Sequence, residues 1–287
     1  MGDENKVGLD YKELVKDVDA GDILILNDGQ VSMQVISVSK NIVNCSVVNG
    51  GILSDRKGIN RQGGGLSAPA LTQKDREDII TAASIGADYL AVSFPKSAED
   101  MLEARRLLDE AGSNAWTIAK IERVEAIENL QKILQVSNGL MVARGDLATE
   151  VGDAAVPALQ KKMIKMSRDC NRLAITATQM MESMINSPVP TRAEVSDVAN
   201  AVLDGTDAVM LSAETAAGKN PVLTVETMSK ICVEAEKFIE VTLDKDFLNR
   251  TFERIDQSIA MASLFVAGHL KIKAIVSFTQ SGSTALW

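Results

Sequence analysis

Between residues 71 and 211 short apolar runs alternate with helical stretches, and no other feature of the chain limits its fold as strongly. The runs are Tyr89 to Phe94, Trp116 to Ile121, Leu140 to Ala143, Leu173 to Ala177 and Ala208 to Leu211. Between them lie patterns that predict helices from a Thr72 cap to Gly86, from Ser97 to Ala111, near 123–135, near 155–170 and from Thr191 to Leu203. Five buried strands separated by helices predict a parallel sheet with right-handed crossovers. Further helices are expected near 221–241 and 253–270, followed by a last strand at Ala274 to Phe278.

The strand bodies are apolar, but their C-terminal ends are not. Ser93 closes the first, Lys120 and Glu122 the second, Arg144 and Asp146 the third, Thr176, Thr178 and Gln179 the fourth, and Ser212 with Glu214 the fifth. In parallel α/β sheets and barrels the ligand site lies at that end, so one topology brings all of these residues together. Each has a plainer reading: Thr176 and Thr178 as caps of backbone groups, Arg144 as the partner of a neighbouring acid.

Alternate residues of a strand share a face, so Lys120 and Glu122 are expected to point the same way. Glu122 and Asp146, ending adjacent strands, suit Mg2+ or Mn2+, hard ions that prefer oxygen ligands and leave positions for substrate oxygens. Lys120 beside them would stabilise negative charge on a transferred phosphoryl group or on an enolate. Gly145 lets backbone N–H groups approach an anion closely. No His or Cys is placed to act as base or nucleophile. These residues support metal-assisted phosphoryl or enolate chemistry without choosing between the two.

The front of the chain differs. From Gly21 to Leu53 alternating runs around Ile23–Leu26, Val31–Val35 and Ile42–Val47, punctuated by Asn27-Asp28-Gly29 and Asn49-Gly50-Gly51, predict a small antiparallel module of hairpins. Residues 55–68, with Gly58 and Gly63 to Gly65 among charged side chains, read as a mobile linker or hinge. The whole chain of 287 residues carries a net charge of −9, which argues against a nucleic-acid or acidic-membrane surface. Three scattered cysteines and the single His269 indicate neither a disulfide framework nor a zinc site. With a start too polar for a signal peptide, a cytoplasmic protein is expected.

Several motifs are more specific. Ala119-Lys120-Ile121-Glu122, Met141 to Leu147 around Arg144-Gly145-Asp146, Ala177 to Met184, Pro190 to Val195 continuing to Asn200–Gly205, and Met210 to Ala216 occur in the order seen in the pyruvate kinase family, which the chain resembles from residue 2 to 287. The resemblance implies a (β/α)8 barrel with an inserted β lid and a following α/β domain. On that pattern residues 1–67 are the lid with its hinge, 68–241 are barrel strands four to eight, and 242–287 begin the C-terminal domain. The first three barrel strands, with a phosphate-binding arginine and the monovalent-cation ligands, have no counterpart here, so that cation site cannot be assigned.

The resemblance also implies phosphoryl transfer from phosphoenolpyruvate to ADP, giving pyruvate and ATP. Lys120 would stabilise the phosphoryl group in flight and Glu122 and Asp146 would bind Mg2+ or Mn2+. Ala143, Arg144 and Gly145 would receive substrate, Thr178 would route the proton to the enolate, and Ser212 and Glu214 would lie in the same region. Asp28 and Lys57 would contact nucleotide from the lid. A homotetramer is usual in the family, with the helix from Thr191 to Leu203 at an interface. Five strands of an eight-strand barrel leave two open edges, so this stretch alone is expected to be poorly active. The rival expectations are a Mg2+-dependent enolate-stabilising barrel lyase or aldolase, and a truncated non-catalytic partner of a full-length subunit.

Overall fold

In a computed structural model the protein is described at residues 2, 3, 5–27, 29–55, 57–238, 254–270, 272–280 and 282. It divides into two compact units, Met1–Cys232 and Val233–Trp287.

The first unit opens with a short helix, α1 (Leu14–Asp17), and an antiparallel sheet of β1 (Ile23–Leu26), β2 (Val31–Ser39), β3 (Ile42–Asn49) and β4 (Ile59–Arg61), in the order β3-β2-β1-β4. Leu26 faces Val31 across a tight turn in which Asn27 and Gly29 take φ of 53° and 89°. Leu14, Val18, Leu24, Leu26, Val31, Val35 and Leu66 form its core. Residues 55–68, expected as a mobile linker, are largely pinned. Ile59–Arg61 pairs with β1, and Gly63 N–H donates to the Glu150 carbonyl at 3.0 Å. The glycines serve conformation rather than mobility. Gly64 has φ of 78°, and a Cβ there would lie 3.2 Å from a Glu125 oxygen and 3.3 Å from a Glu150 oxygen.

The chain then builds a five-stranded sheet of β5 (Tyr89–Val92), β6 (Trp116–Ile121), β7 (Gly139–Ala143), β8 (Leu173–Ala177) and β9 (Ala208–Met210), all parallel and in sequential order. The helices between them are α2 (Gln73–Ser84), α3 (Ala98–Glu110), α4 (Val124–Glu128), α5 (Leu130–Val136), α6 (Arg144–Val151), α7 (Val156–Asp169) and α8 (Arg192–Leu203). Two of their starts were legible as capping boxes. Thr72 accepts from Asp75 N–H while Asp75 accepts from Thr72 N–H, and Thr191 and Glu194 repeat the exchange.

Strand periodicity sorts the core. Ala119, Ile121, Leu140 and Val142 pack with Met101 of α3, Ile133 and Leu134 of α5 and Met163 of α7. Ile118, Met141 and Ala177 cluster on the other face of the sheet. After β9 come α9 (Ala213–Ala216) and α10 (Pro221–Glu236), whose Met228 and Ile231 pack with Met180, Met184, Val198 and Ala201. Among the described residues β5 and β9 each have one neighbouring strand, so the sheet has two open edges.

In the second unit a helix covers Ile255–His269. The strand expected at Ala274 to Phe278 does not form. No neighbouring strand among the described residues takes up its backbone groups, and Ile275, Val276 and Phe278 are exposed. No helix among the described residues is long and apolar enough to cross a membrane.

Candidate active site

The register of the parallel strands decides which polar residues meet. Ile121 pairs with Val142 and Val142 with Thr176, so Glu122, Arg144 and Thr178 leave the sheet at one end. Lys120 and Glu122 do share a face: Lys120 Nζ lies 2.8 Å from Glu122 Oε1, with side chains 25% and 1% exposed. Lys120 also donates to Ser93 Oγ at 2.7 Å, which fixes its ammonium between β5 and β6.

Glu122 is held on both oxygens, unequally. Its Oε2 accepts from Phe94 N–H at 2.8 Å, and its buried Oε1 has the Lys120 ammonium at 2.8 Å and no further hydrogen-bond partner among the described residues. Burial pushes its carboxyl above the usual range. The Lys120 charge and hydrogen bond and the Phe94 hydrogen bond pull the other way, and nearby Asp146 pushes it up further. A buried carboxylate whose oxygens keep acceptor capacity beyond one partner each, with a second carboxylate nearby, is a donor set that suits a divalent ion. Among the described residues no cluster of three or more His, Cys, Asp or Glu side chains gathers, so the protein would supply two carboxylates and leave the other positions to substrate and water, as Mg2+ prefers.

Helix α6 begins at Arg144, directly after β7, where the Arg-Gly-Asp stretch gave no helical signal. Asp146 sits in its first turn, and Ala143 is buried at its N-cap. Gly145 N–H donates to Thr178 Oγ1 at 2.9 Å, and that hydroxyl donates to the Ala177 carbonyl at 2.7 Å. Two residues expected to touch substrate therefore touch each other. Thr178 and Gln179 hold φ of 68° and 54°, an unusual conformation for a β-branched residue and one found preferentially at functional sites. The Arg144 guanidinium reaches this turn as a brace: it donates to Thr178 O at 2.7 Å and pairs with Asp197 of α8 at 2.7 Å. Its side chain is 12% exposed and committed to the fold.

Glu214 is also committed. Its carboxylate accepts from Met181 N–H at 3.1 Å and Ser212 N–H at 2.7 Å and is almost wholly buried, while Ser212 itself is exposed. Lys57 is exposed on the lid ahead of β4, and Asp28 lies outside the described residues.

Beside the site an open cavity of about 520 Å³ lies between the antiparallel module and the parallel sheet, lined by Ser93, Phe94, Arg123 and Asp146 among others. Phe94 and Arg123 were not singled out from sequence. No local signal marks them: Pro95 favours an extended backbone at Phe94, the opposite of the φ of 54° observed.

Comparison with known proteins bears on this arrangement. Residues 1–225 match the family described as pyruvate kinase, barrel domain. The chain is 54% identical over 289 residues to pyruvate kinase of Buchnera aphidicola subsp. Schizaphis graminum, covering 99% of this chain and 60% of that protein. It is likewise 54% identical to pyruvate kinase II of Salmonella typhimurium, with the same shares covered. The crystal structure of a pyruvate kinase from Cryptosporidium parvum superposes with a TM-score of 0.88 at 36% identity, over 96% of this chain and 58% of that one. The chain thus spans about 60% of the length of the curated relatives it matches. With a family match over most of its length and relatives above half identity, the chain belongs to the pyruvate kinase family.

Proposed function

We propose that the chain is the lid and the larger part of the catalytic barrel of a pyruvate kinase, transferring the phosphoryl group of phosphoenolpyruvate to ADP. On this reading β5 to β9 are strands four to eight of a (β/α)8 barrel, residues 1–67 the lid and 242–287 the start of a C-terminal domain. The sequential strand order supports it, because a doubly wound sheet would reverse direction at a switch point. The observation that carries the function is the buried Lys120–Glu122 pair with the Asp146 carboxylate nearby.

Glu122 and Asp146 would hold Mg2+ or Mn2+, which when bound neutralises charge on the phosphoryl and enolate oxygens. Lys120, paired with Glu122 and aimed by Ser93, stabilises the phosphoryl group as its bond to the enolate oxygen breaks and a bond to an ADP β-phosphate oxygen forms. Backbone at Ala143, Arg144 and Gly145 receives the substrate. For Gly145 N–H to reach an anion, the Thr178 hydroxyl must turn away from it and from the Ala177 carbonyl; beside the enolate carbon it would relay a proton, giving up its own and taking one from solvent in the same step, to form the pyruvate methyl. Glu214 positions the turns around this step through its two backbone hydrogen bonds, with Ser212 alongside. Lys57 and Asp28 are the lid's candidates for nucleotide contact. The chain would act in the cytoplasm as a homo-oligomer, and the exposed Val195 and Leu203 of α8 support such an interface.

The test is ADP-dependent pyruvate formation from phosphoenolpyruvate with Mg2+, on this chain alone and on the chain preceded by the first three barrel strands of a full-length relative. Activity restored by the added strands and lost in K120M supports the reading. Inactivity of both forms, or pyruvate release without ADP as a lyase would show, sinks it.

A further inference from the structure

Phe94 carries a conformation that its own chemistry does not favour. It follows β5 with φ of 54°, in the left-handed region where a bulky aromatic residue is an outlier. Two interactions outside its own strand hold it there. Its N–H donates to Glu122 Oε2 at 2.8 Å, and its ring lies against the Arg123 guanidinium, whose Cζ stands 5.4 Å from the ring centroid. A guanidinium at that distance from a ring is attracted by the ring quadrupole, more strongly where water is excluded.

Arg123 is placed to act as a fixed support. It follows Glu122 directly, is buried, and serves as N-cap of α4 with extended backbone. Its Nη1 donates at 3.1 Å to the carbonyl of Leu66, a member of the lid's core. Lys96 Nζ donates to the same carbonyl at 2.8 Å, so Leu66 has two anchors while Phe94 has one stacking partner.

We propose that Arg123 is a positioning residue for the metal site: by holding the Phe94 ring it keeps Phe94 N–H on Glu122 Oε2, which fixes the orientation of the carboxylate that would receive the ion. This inference rests on Glu122 being a metal ligand. Without the stack Phe94 relaxes toward negative φ, its N–H swings away, and the carboxylate loses the donor that orients it. Hydrogen-bond partners of metal ligands act in this way at metal sites generally. The same guanidinium joins lid to metal ligand, since Leu66 carbonyl, Arg123, Phe94 and Glu122 form one connected series.

The experiment is titration of the full chain with Mn2+, followed by electron paramagnetic resonance of the free ion, for the parent and for E122Q, R123M, R123K and K96M. The parent binds, E122Q does not, and R123M binds about tenfold more weakly. R123K falls between, because lysine keeps the charge without the stacking plane. K96M, which removes the other Leu66 anchor but leaves Phe94 untouched, binds as the parent does, separating loss of the stack from loosening of the lid. Thermal unfolding checks that each variant is folded, and should R123M fail to fold, R123K carries the comparison. R123M and R123K binding within about twofold of the parent would overturn the positioning role. A parent that binds no Mn2+, or an E122Q chain that binds it equally, would instead remove the metal site itself and the inference with it.

Discussion

Two glutamates follow strands of the same sheet, both almost fully buried, and the fold treats them oppositely. Glu214, after β9, has backbone N–H groups on both its oxygens. Glu122, after β6, has one N–H on Oε2, the Lys120 ammonium on Oε1, and a carboxyl pushed up by burial. The first carboxylate is spent on holding the turns after β8 and β9 together. The second is tied to one backbone group and to a side chain that can shift toward a substrate anion, an arrangement suited to a group that an ion will use. Burial alone does not mark a metal-binding carboxylate; burial beside a mobile cation and a second carboxylate does.

The contrast can be broken most sharply at Glu122. In E122Q, turnover in the strand-completed chain should fall by about 10³-fold, or roughly 4 kcal/mol of transition-state stabilisation, while the unfolding midpoint stays level or rises. A variant that unfolds at lower temperature and retains turnover would reverse the assignment. Glu214 should behave in the opposite way. E214A leaves the buried Met181 N–H and the part-buried Ser212 N–H without their charged acceptor and should cost about 3 kcal/mol in denaturant unfolding.

The pH dependence sharpens the same contrast. Because the folded carboxyl of Glu122 is raised, the native state binds more protons than the unfolded chain between the ordinary glutamate range and the raised value. Stability therefore falls as pH rises through that window, and metal affinity falls as pH drops through it. Glu150 is also raised by burial, so the readout is the difference between the parent and E122Q, whose stability profile should be flatter there. A parent and an E122Q chain with superimposable profiles would show that Glu122 is ionised as easily in the fold as outside it. The smallest effect belongs to Asp197. D197N weakens a partly exposed ion pair to Arg144 and should cost less than about 1 kcal/mol, with Mn2+ affinity unchanged.

Much of the scaffold was legible because it depends on local rules. The apolar runs of β5 to β9 and the capping boxes at Thr72 and Thr191 each announce themselves within a few residues. The contact between Lys120 and Glu122 follows from strand alternation alone. What stayed hidden depends on partners distant in sequence. The acid that pairs with Arg144, expected only as a neighbour, is Asp197 of a helix 53 residues on, and the backbone donors on Glu214 come from Met181 as well as Ser212. The glycine-rich stretch at 63–65 looked loose because glycine permits mobility, yet here it permits close approach to Glu125 and Glu150. Helix α6 was invisible because Gly145 lowers helical propensity at its start. Phe94 gave no sign of its left-handed backbone, since the proline after it favours an extended one.

The order of the parallel strands has a consequence for how the molecule is made. Strands β6 to β9 each pair with the one synthesised before it, separated by a single crossover, so none of these four ladders waits for a distant part of the chain. As the chain leaves the ribosome this part of the sheet can lengthen one strand at a time. The residues that must meet at the site, from Ser93 to Glu214, are then delivered in chain order, with the strand of Lys120 and Glu122 ahead of the turn carrying Thr178.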